Sequence, residues 1–322
     1  MINNTRVKEN PERKRFRIKH EYNMLFVLIG MVIVCMIISP TFRSPQNLIN
    51  LLGHNAIFGV LAVGMTFVII TGGVDLSVGS VVALSAVAAA NLFINFGVAA
   101  GAFGALAIGL GVGLINGLLQ TKLKMNHFVA TLGMMTVVRG VVFIVTAGFP
   151  ITGVPREYNV LGLGRLWIFP IGGLVWIVLV ILVHFLLKRT KFGKYVYAIG
   201  GNMNATWLCG VNVNKVKVWV YGLCGLFAGF AGLMLTSRIL MASADAGRSY
   251  ELTAISACIV GGISLNGGRG SVFGSFVGTL ILGLILNILQ LMRVSTFWQD
   301  AIQGTIIIVA VAIDSMARMK RD

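Results

Sequence analysis

Acidic residues are scarce in this sequence: 10 Asp and Glu stand against 26 Lys and Arg in 322 residues, for a net charge of +16. Charged residues of both signs make up only 11%, against about 25% in a soluble domain. So little polar surface cannot cover a core, which excludes a soluble globular chain. Proline supplies 6 residues and cysteine 4. The cysteines (Cys35, Cys209, Cys224, Cys258) form no Cys-x-x-Cys pair, and three sit inside apolar runs. That excludes a disulfide framework and a cysteine metal site. What is abundant is apolar: 57% of the chain, with 40 glycines. Such hydrophobicity excludes disorder, and the glycines lack the three-residue period of collagen. The apolar residues form continuous blocks near the ~20 needed to cross a ~30 Å hydrocarbon layer. A transmembrane barrel would instead alternate over ten-residue segments. Basic residues lie between the blocks, as membrane-flanking anchors do, so no nucleic-acid partner is expected.

Catalytic motifs are missing too. The four histidines (His20, His54, His127, His184) are scattered, with no His-Glu-x-x-His spacing. Neither a Gly-x-Ser-x-Gly elbow nor a Gly-x-x-x-x-Gly-Lys-Ser/Thr phosphate loop occurs. The stretch from Ser264 to Gly270 loosely resembles the signature loop of transport ATPases, but without a phosphate loop that is coincidence. The chain is expected to be no enzyme, to hydrolyse no ATP itself, and to need no cofactor or metal.

The blocks predict an all-α, polytopic transmembrane helical bundle of about ten spans: 22–40, 50–71, 76–96, 98–120, 126–147, 167–187, 216–236, 250–264, 271–292 and 297–316. The second and eighth are glycine-broken, and the eighth is short enough to be re-entrant. The first run has no small-residue cleavage site and reads as a retained span. With the amino end inside, the short connections put 19 cations in the cytoplasm: Arg6, Lys8, Arg13, Lys14, Arg15, Arg17, Lys19, Lys122, Lys124, Lys188, Arg189, Lys191, Lys194, Lys215, Lys217, Arg269, Arg318, Lys320 and Arg321. Six fall outside: Arg43, Arg156, Arg165, Arg238, Arg248 and Arg293. That asymmetry places both termini in the cytoplasm. The chain then divides into a basic tail (1–21), a permease-like membrane domain (22–316) and a short cytoplasmic tail (317–322).

Two stretches echo each other. Gly72-Gly73-Val74-Asp75-Leu76-Ser77 and Gly261-Gly262-Ile263-Ser264-Leu265-Asn266 each end one apolar run and start another. They predict two glycine-broken helix pairs, whose freed backbone groups can line a polar path or gate; the plain alternative is two glycine-rich turns. Asp75 follows the glycine pair and precedes an apolar run, so it is expected to cap a helix amino end. Other polar groups near or within spans are Asn55, Asn91, Asn116, Asn287, Arg139, Glu251, Asp300 and Asp314. Asp300 and Asp314 read as interfacial. Arg139, some thirteen residues into its span, must pair with a carboxylate or snorkel outward. Asn55, Arg139 and Glu251 are the residues assigned to a translocation path. The polar segment 188–217 carries Gly200-Gly201-Asn202 and Gly210-Val211-Asn212 around a short amphipathic stretch, Met203 to Cys209. It suits either docking to a cytoplasmic protein or anchoring to lipid headgroups.

Several blocks, in order, resemble one family. The run from Gly64 to Ser80, containing Thr71-Gly72-Gly73-Val74-Asp75-Leu76-Ser77, is similar to the signature of monosaccharide ABC transporter permeases. Tyr197-Ala198-Ile199-Gly200-Gly201-Asn202 with Gly210-Val211-Asn212 resembles their cytoplasmic coupling loop, placed here at 188–215. Tyr250-Glu251-Leu252-Thr253, leading to Gly261-Gly262, resembles a further block. The likeness covers about 39–314 and is nearest to the ribose type. Two departures stand out: Asn266-Gly267-Gly268-Arg269 replaces a smaller residue and Lys, and Trp207-Leu208-Cys209 replaces Arg-Leu-Ser.

The resemblance implies the permease subunit of an ATP-driven monosaccharide importer in the inner membrane of a bacterium. It implies ATPase subunits inside, an extracytoplasmic sugar-binding protein outside, and a second permease copy or sister permease. Gly200, Gly201, Asn202, Ala205 and Gly210 would form the ATPase-coupling loop. Gly72, Gly73, Asp75, Ser77, Gly261, Gly262 and Asn266 would form the broken helices and gate. The runner-up is an ion-coupled secondary transporter, for which only Asp75 and Glu251 offer coupling carboxylates. An intramembrane enzyme would lack paired catalytic groups.

Overall fold

The computed structural model describes residues 20–319. The expected basic tail lies outside the described residues up to residue 19, as do Lys320, Arg321 and Asp322. The side chains of Asp300 and Asp314 are likewise outside them. The helices in chain order are α1 (His20–Ile38), α2 (Pro45–Ile70), α3 (Val78–Phe96), α4 (Val98–Lys122), α5 (His127–Thr146), α6 (Val160–Leu163), α7 (Ile171–Arg189), α8 (Lys191–Gly201), α9 (Met203–Leu208), α10 (Val213–Ile239), α11 (Tyr250–Val260), α12 (Val272–Leu291) and α13 (Thr296–Met319). A single-turn 3-10 helix, Arg156–Asn159, precedes α6. Strands β1 (Arg165–Leu166) and β2 (Phe169–Pro170) make one small hairpin before α7.

Among the described residues, seven helices are long and apolar enough to cross a membrane: α2, α3, α4, α5, α7, α10 and α12. Three more apolar stretches, Met24–Ile38, Tyr250–Val260 and Thr296–Ala312, are shorter. α11, with its 11 residues, is about 16 Å long, half of a ~30 Å hydrocarbon layer. The sequence-based boundaries shift in two places. Residues 167–170, assigned to a span, belong to the hairpin instead, because Pro170 disfavours helical backbone at Phe169 before it. The polar segment 188–217 holds two helices, α8 and α9, where only a short stretch around residue 203 was foreseen.

Helix starts are written in short polar side chains. Ser44, Asn126, Thr190, Asn202, Asn212 and Ser271 each accept a hydrogen bond from a backbone N–H two or three residues on. Such caps satisfy donors that a helix leaves open, to about 1 kcal/mol each.

Packing centres on α2 and α10, whose apolar windows are 83% and 72% buried, against 22% for α4 and α5. Bilayer lipid offers no hydrophobic drive between helices, so close backbone approach and polar pairs must hold them. Gly109 and Gly113 of α4 lie directly on the backbone of Gly225, Gly229, Tyr221 and Gly222 of α10. The second seam joins α2 to α12. Asn47 and Asn287 exchange amide hydrogen bonds at 3.1 and 3.2 Å, Gly283 lies on Asn55, and the Thr66 and Ser275 hydroxyls meet at 2.7 Å. Cys35, Cys224 and Cys258 are buried, Cys209 is exposed, and all four are free thiols.

Candidate functional site: a glycine knot between two broken helices

Both breaks are built the same way. α2 ends with Gly72 at φ +77° and α11 with Gly262 at φ +85°. Gly72 N–H donates to the Ile69 carbonyl at 2.9 Å and Gly73 N–H to Val68 at 3.0 Å. At α11, Gly262 N–H donates to Ile259 at 2.8 Å and Ile263 N–H to Cys258 at 3.0 Å. This is the Schellman closure, with glycine at the left-handed position. The geometry corrects the register of the echo by one residue: Gly72 corresponds to Gly262, and Gly73 to Ile263. The doublets align by letter, but the turn requires glycine only where φ is positive.

The breaks touch. Gly268 N–H, beyond α11, donates to the Ile70 carbonyl at the end of α2 at 2.8 Å. Gly72 lies against the Asn266 carbonyl. Gly200 of α8 sits directly on Ile70 O and Gly268 N, leaving no room for a Cβ. A Cβ on Gly267 would come within 2.8 Å of both Gly72 N and Ile70 O, and 2.9 Å of Gly200 Cα. Tyr197, one turn earlier on α8, donates its hydroxyl to Gly270 O at 2.8 Å. Thus α8 rests at one point on the end of α2 and on the loop that follows the α11 break. Gly267, Gly268 and Tyr197 were not singled out as site residues. Tyr197 stood in the family block, and the glycines stood only in the loop noted as a departure.

Asp75 is buried within the first break. Its Oδ1 accepts from Ser77 N–H at 2.9 Å and from the Ser77 hydroxyl at 2.7 Å. Asn116 Nδ2 of α4 reaches both carboxylate oxygens at 3.4 Å and donates to Ser77 Oγ at 2.8 Å. Tyr221 of α10 donates to the neighbouring Val74 carbonyl at 3.4 Å. Asp75 therefore braces the turn leading into α3. Ser77, not Asp75, occupies the residue before the helix, and its side chain makes no cap bond to it.

The remaining candidates separate. In the segment 188–217, Asn202 caps α9 through Ala205 N–H at 2.9 Å, and both residues are exposed. Met203, Trp207 and Leu208 leave an apolar exposed face on α9. Gly210 follows at φ +79° with open space around it, so the turn and not close approach explains the glycine. Asn55 belongs to the α2–α12 seam, donating to Leu51 O at 2.8 Å. Glu251 lies at the first turn of α11 against Gly79 of α3. Arg139 is half-buried and donates to the Ala244 and Ala246 carbonyls, at 2.6 and 2.7 Å. Among the described residues no cluster of His, Cys, Asp and Glu could hold a metal ion.

Residues 47–311 match the family described as branched-chain amino acid transport system / permease component. The chain is 43% identical over 314 residues to the ribose import permease protein RbsC of Bacillus subtilis, covering 94% of this chain and 96% of that one. It is 40% identical over 304 residues to RbsC of Escherichia coli K12, covering 92% and 94%. The L-arabinose ABC transporter permease protein AraH of Azospirillum brasilense is 40% identical over 285 residues, covering 88% and 84%. No solved structure matches the chain.

Proposed function

Because this chain belongs to the branched-chain amino acid transport system / permease component family, we infer that it is the membrane-spanning subunit of an ATP-binding-cassette importer for a monosaccharide, in a bacterial inner membrane. The observation that carries this is similarity to sugar import permeases along nearly the whole chain. Ribose and arabinose are both pentoses, which favours a pentose, and ribose first, as the solute. Nothing in the relatives favours the ion-coupled alternative. ATP hydrolysis belongs to separate subunits on the cytoplasmic side, and an extracytoplasmic protein delivers the sugar.

The finer picture rests on geometry. Seven apolar helices and three shorter apolar stretches support ten membrane-inserted segments, and the cation asymmetry favours both termini inside. On this reading α8 and α9 face the ATPase, with the exposed Met203, Trp207 and Leu208 as contact. A push on α9 passes through α8 to the knot at Gly200, where the ends of α2 and α11 meet. ATP binding thereby biases the two breaks together, as a ligand can only through different affinities for two conformations. A second copy or a sister permease would complete the path.

Labelled ribose uptake by cells with and without this chain, in the presence of its ATPase, tests the assignment. Uptake only with the chain, and copurification of the two subunits, are expected. Cysteines at Asn202 or Ala205 are expected to crosslink to the ATPase. Normal uptake without the chain sinks the importer assignment, and failure of every position from Gly201 to Gly210 to crosslink sinks the docking.

A further inference from the structure

The segment joining α10 to α11 turns inward. The outer end of α10 lies beside Ala86 of α3, where Thr236 donates to the Ala86 carbonyl at 3.2 Å. Gly247, eleven residues later, lies directly on the backbone of Gly79. Seven residues of α3 separate those levels, so the link descends about 10 Å along α3. Leu240 (φ +52°) and Ser249 (φ +61°) at its two ends are left-handed without being glycine, a conformation that persists only when the surroundings hold it. Ser249 gives α11 no side-chain cap. Such a link does not stay down by its own preference.

The holding groups come from α5 and its extension. Ile151 pairs with Ala242 in an antiparallel bridge, at 2.8 and 3.0 Å. Deeper, Arg139 donates to Ala244 O at 2.6 Å and Ala246 O at 2.7 Å. These carbonyls would otherwise face an apolar span without a donor, and a charged donor there forms a strong bond. α11 then runs from this fixed link to the Gly261–Gly262 break, and the loop that follows it reaches the knot at Gly267 and Gly268.

We propose that Arg139 is a positioning residue that fixes the depth of the α10–α11 link, so that α5 follows α11 when the knot moves. This rests on the importer reading. The guanidinium binds main chain, so it serves transport without touching sugar.

The test uses the complete importer in cells. Ala244, almost fully buried, is changed to Cys on a Cys209→Ser background and exposed to a membrane-impermeant maleimide from outside. Ribose uptake is measured over a range of concentrations. Losing two bonds to a charged donor should speed labelling in Arg139→Gln by about tenfold and lower maximal uptake by a similar factor. The half-saturating ribose concentration should stay unchanged, and Arg139→Lys should restore part of both effects. Should Arg139→Gln fail to insert, Arg139→Met, which an apolar span accepts readily, is read in its place. Wild-type labelling in these variants overturns the proposal. So does a raised half-saturating concentration at an unchanged maximal rate, which would make Arg139 a sugar contact. If the unsubstituted chain supports no ribose uptake, the importer reading fails instead, while the labelling result still decides how Arg139 holds the link.

Discussion

Single atoms decide the knot. Gly200 and Gly201 are neighbours of equal standing in the sequence, yet a Cβ on Gly200 would run into Ile70 O and Gly268 N, while a Cβ on Gly201 would meet nothing within 4 Å. Gly200→Ala should therefore break the Gly268–Ile70 bond and displace α8, an overpacking cost of about 1–3 kcal/mol. Uptake should fall roughly tenfold or more, while Gly201→Ala transports normally; equal effects of the two would deny the knot its role. Asp75 makes a second contrast. Asn at 75 keeps the Oδ1 that accepts from Ser77 and gives up only the acceptor that faces Asn116 Nδ2 at 3.4 Å. Asp75→Asn should keep most uptake. Asp75→Ala leaves the Ser77 donors unpaired at about 1–3 kcal/mol, so its thermal midpoint in detergent and its uptake should drop together. A stable, inactive Asp75→Asn would make the charge itself functional.

Between elements, glycine serves a purpose that its abundance alone does not reveal. α4 meets α10 through backbone contact at Gly109 and Gly113, while Gly111 on the same helix faces open space. Gly113→Leu should pry the helices apart and reduce the folded, membrane-inserted yield. Gly111→Leu should leave that yield near wild type, as measured by size-exclusion recovery; a normal yield for Gly113→Leu would mean that the seam does not hold the bundle. Four-residue spacing of small residues on α4 is written in the sequence, but which side meets a partner is not. α8 was missed for a similar reason: its residues Lys191–Gly201 mix cations, aromatics and glycines, and only the packed chain shows which of its apolar side chains, Val196 and Ile199, are buried.

For the molecule as a whole, the distribution of cations carries the strongest expectation. Reporters fused after Lys194 and after Arg321 should be cytoplasmic, and one within 149–166 external, measured with enzymes active on only one side of the membrane. An external reporter at Lys194 would discard the ten-span arrangement. α11 is the weak point of any count, because 11 residues cannot span alone and its link dips inward instead of ending at a surface.

Hydrophobicity and charge are summed along the chain, so the membrane class, the all-α bundle, the absence of a phosphate loop and the resemblance to sugar permeases were legible in the letters. The sequence also marked the two breaks, since a glycine doublet between apolar runs has few other uses. It misplaced their correspondence by one residue, because letters do not encode which glycine takes a positive φ. Only the tertiary structure decided that the breaks meet each other beneath α8, that Asp75 is braced by Asn116 from α4, and that Arg139 holds main-chain carbonyls rather than a carboxylate. Those contacts join residues 41 to 198 positions apart, and all but the Asp75–Asn116 pair involve backbone atoms that every residue carries, so no local side-chain pattern could announce them.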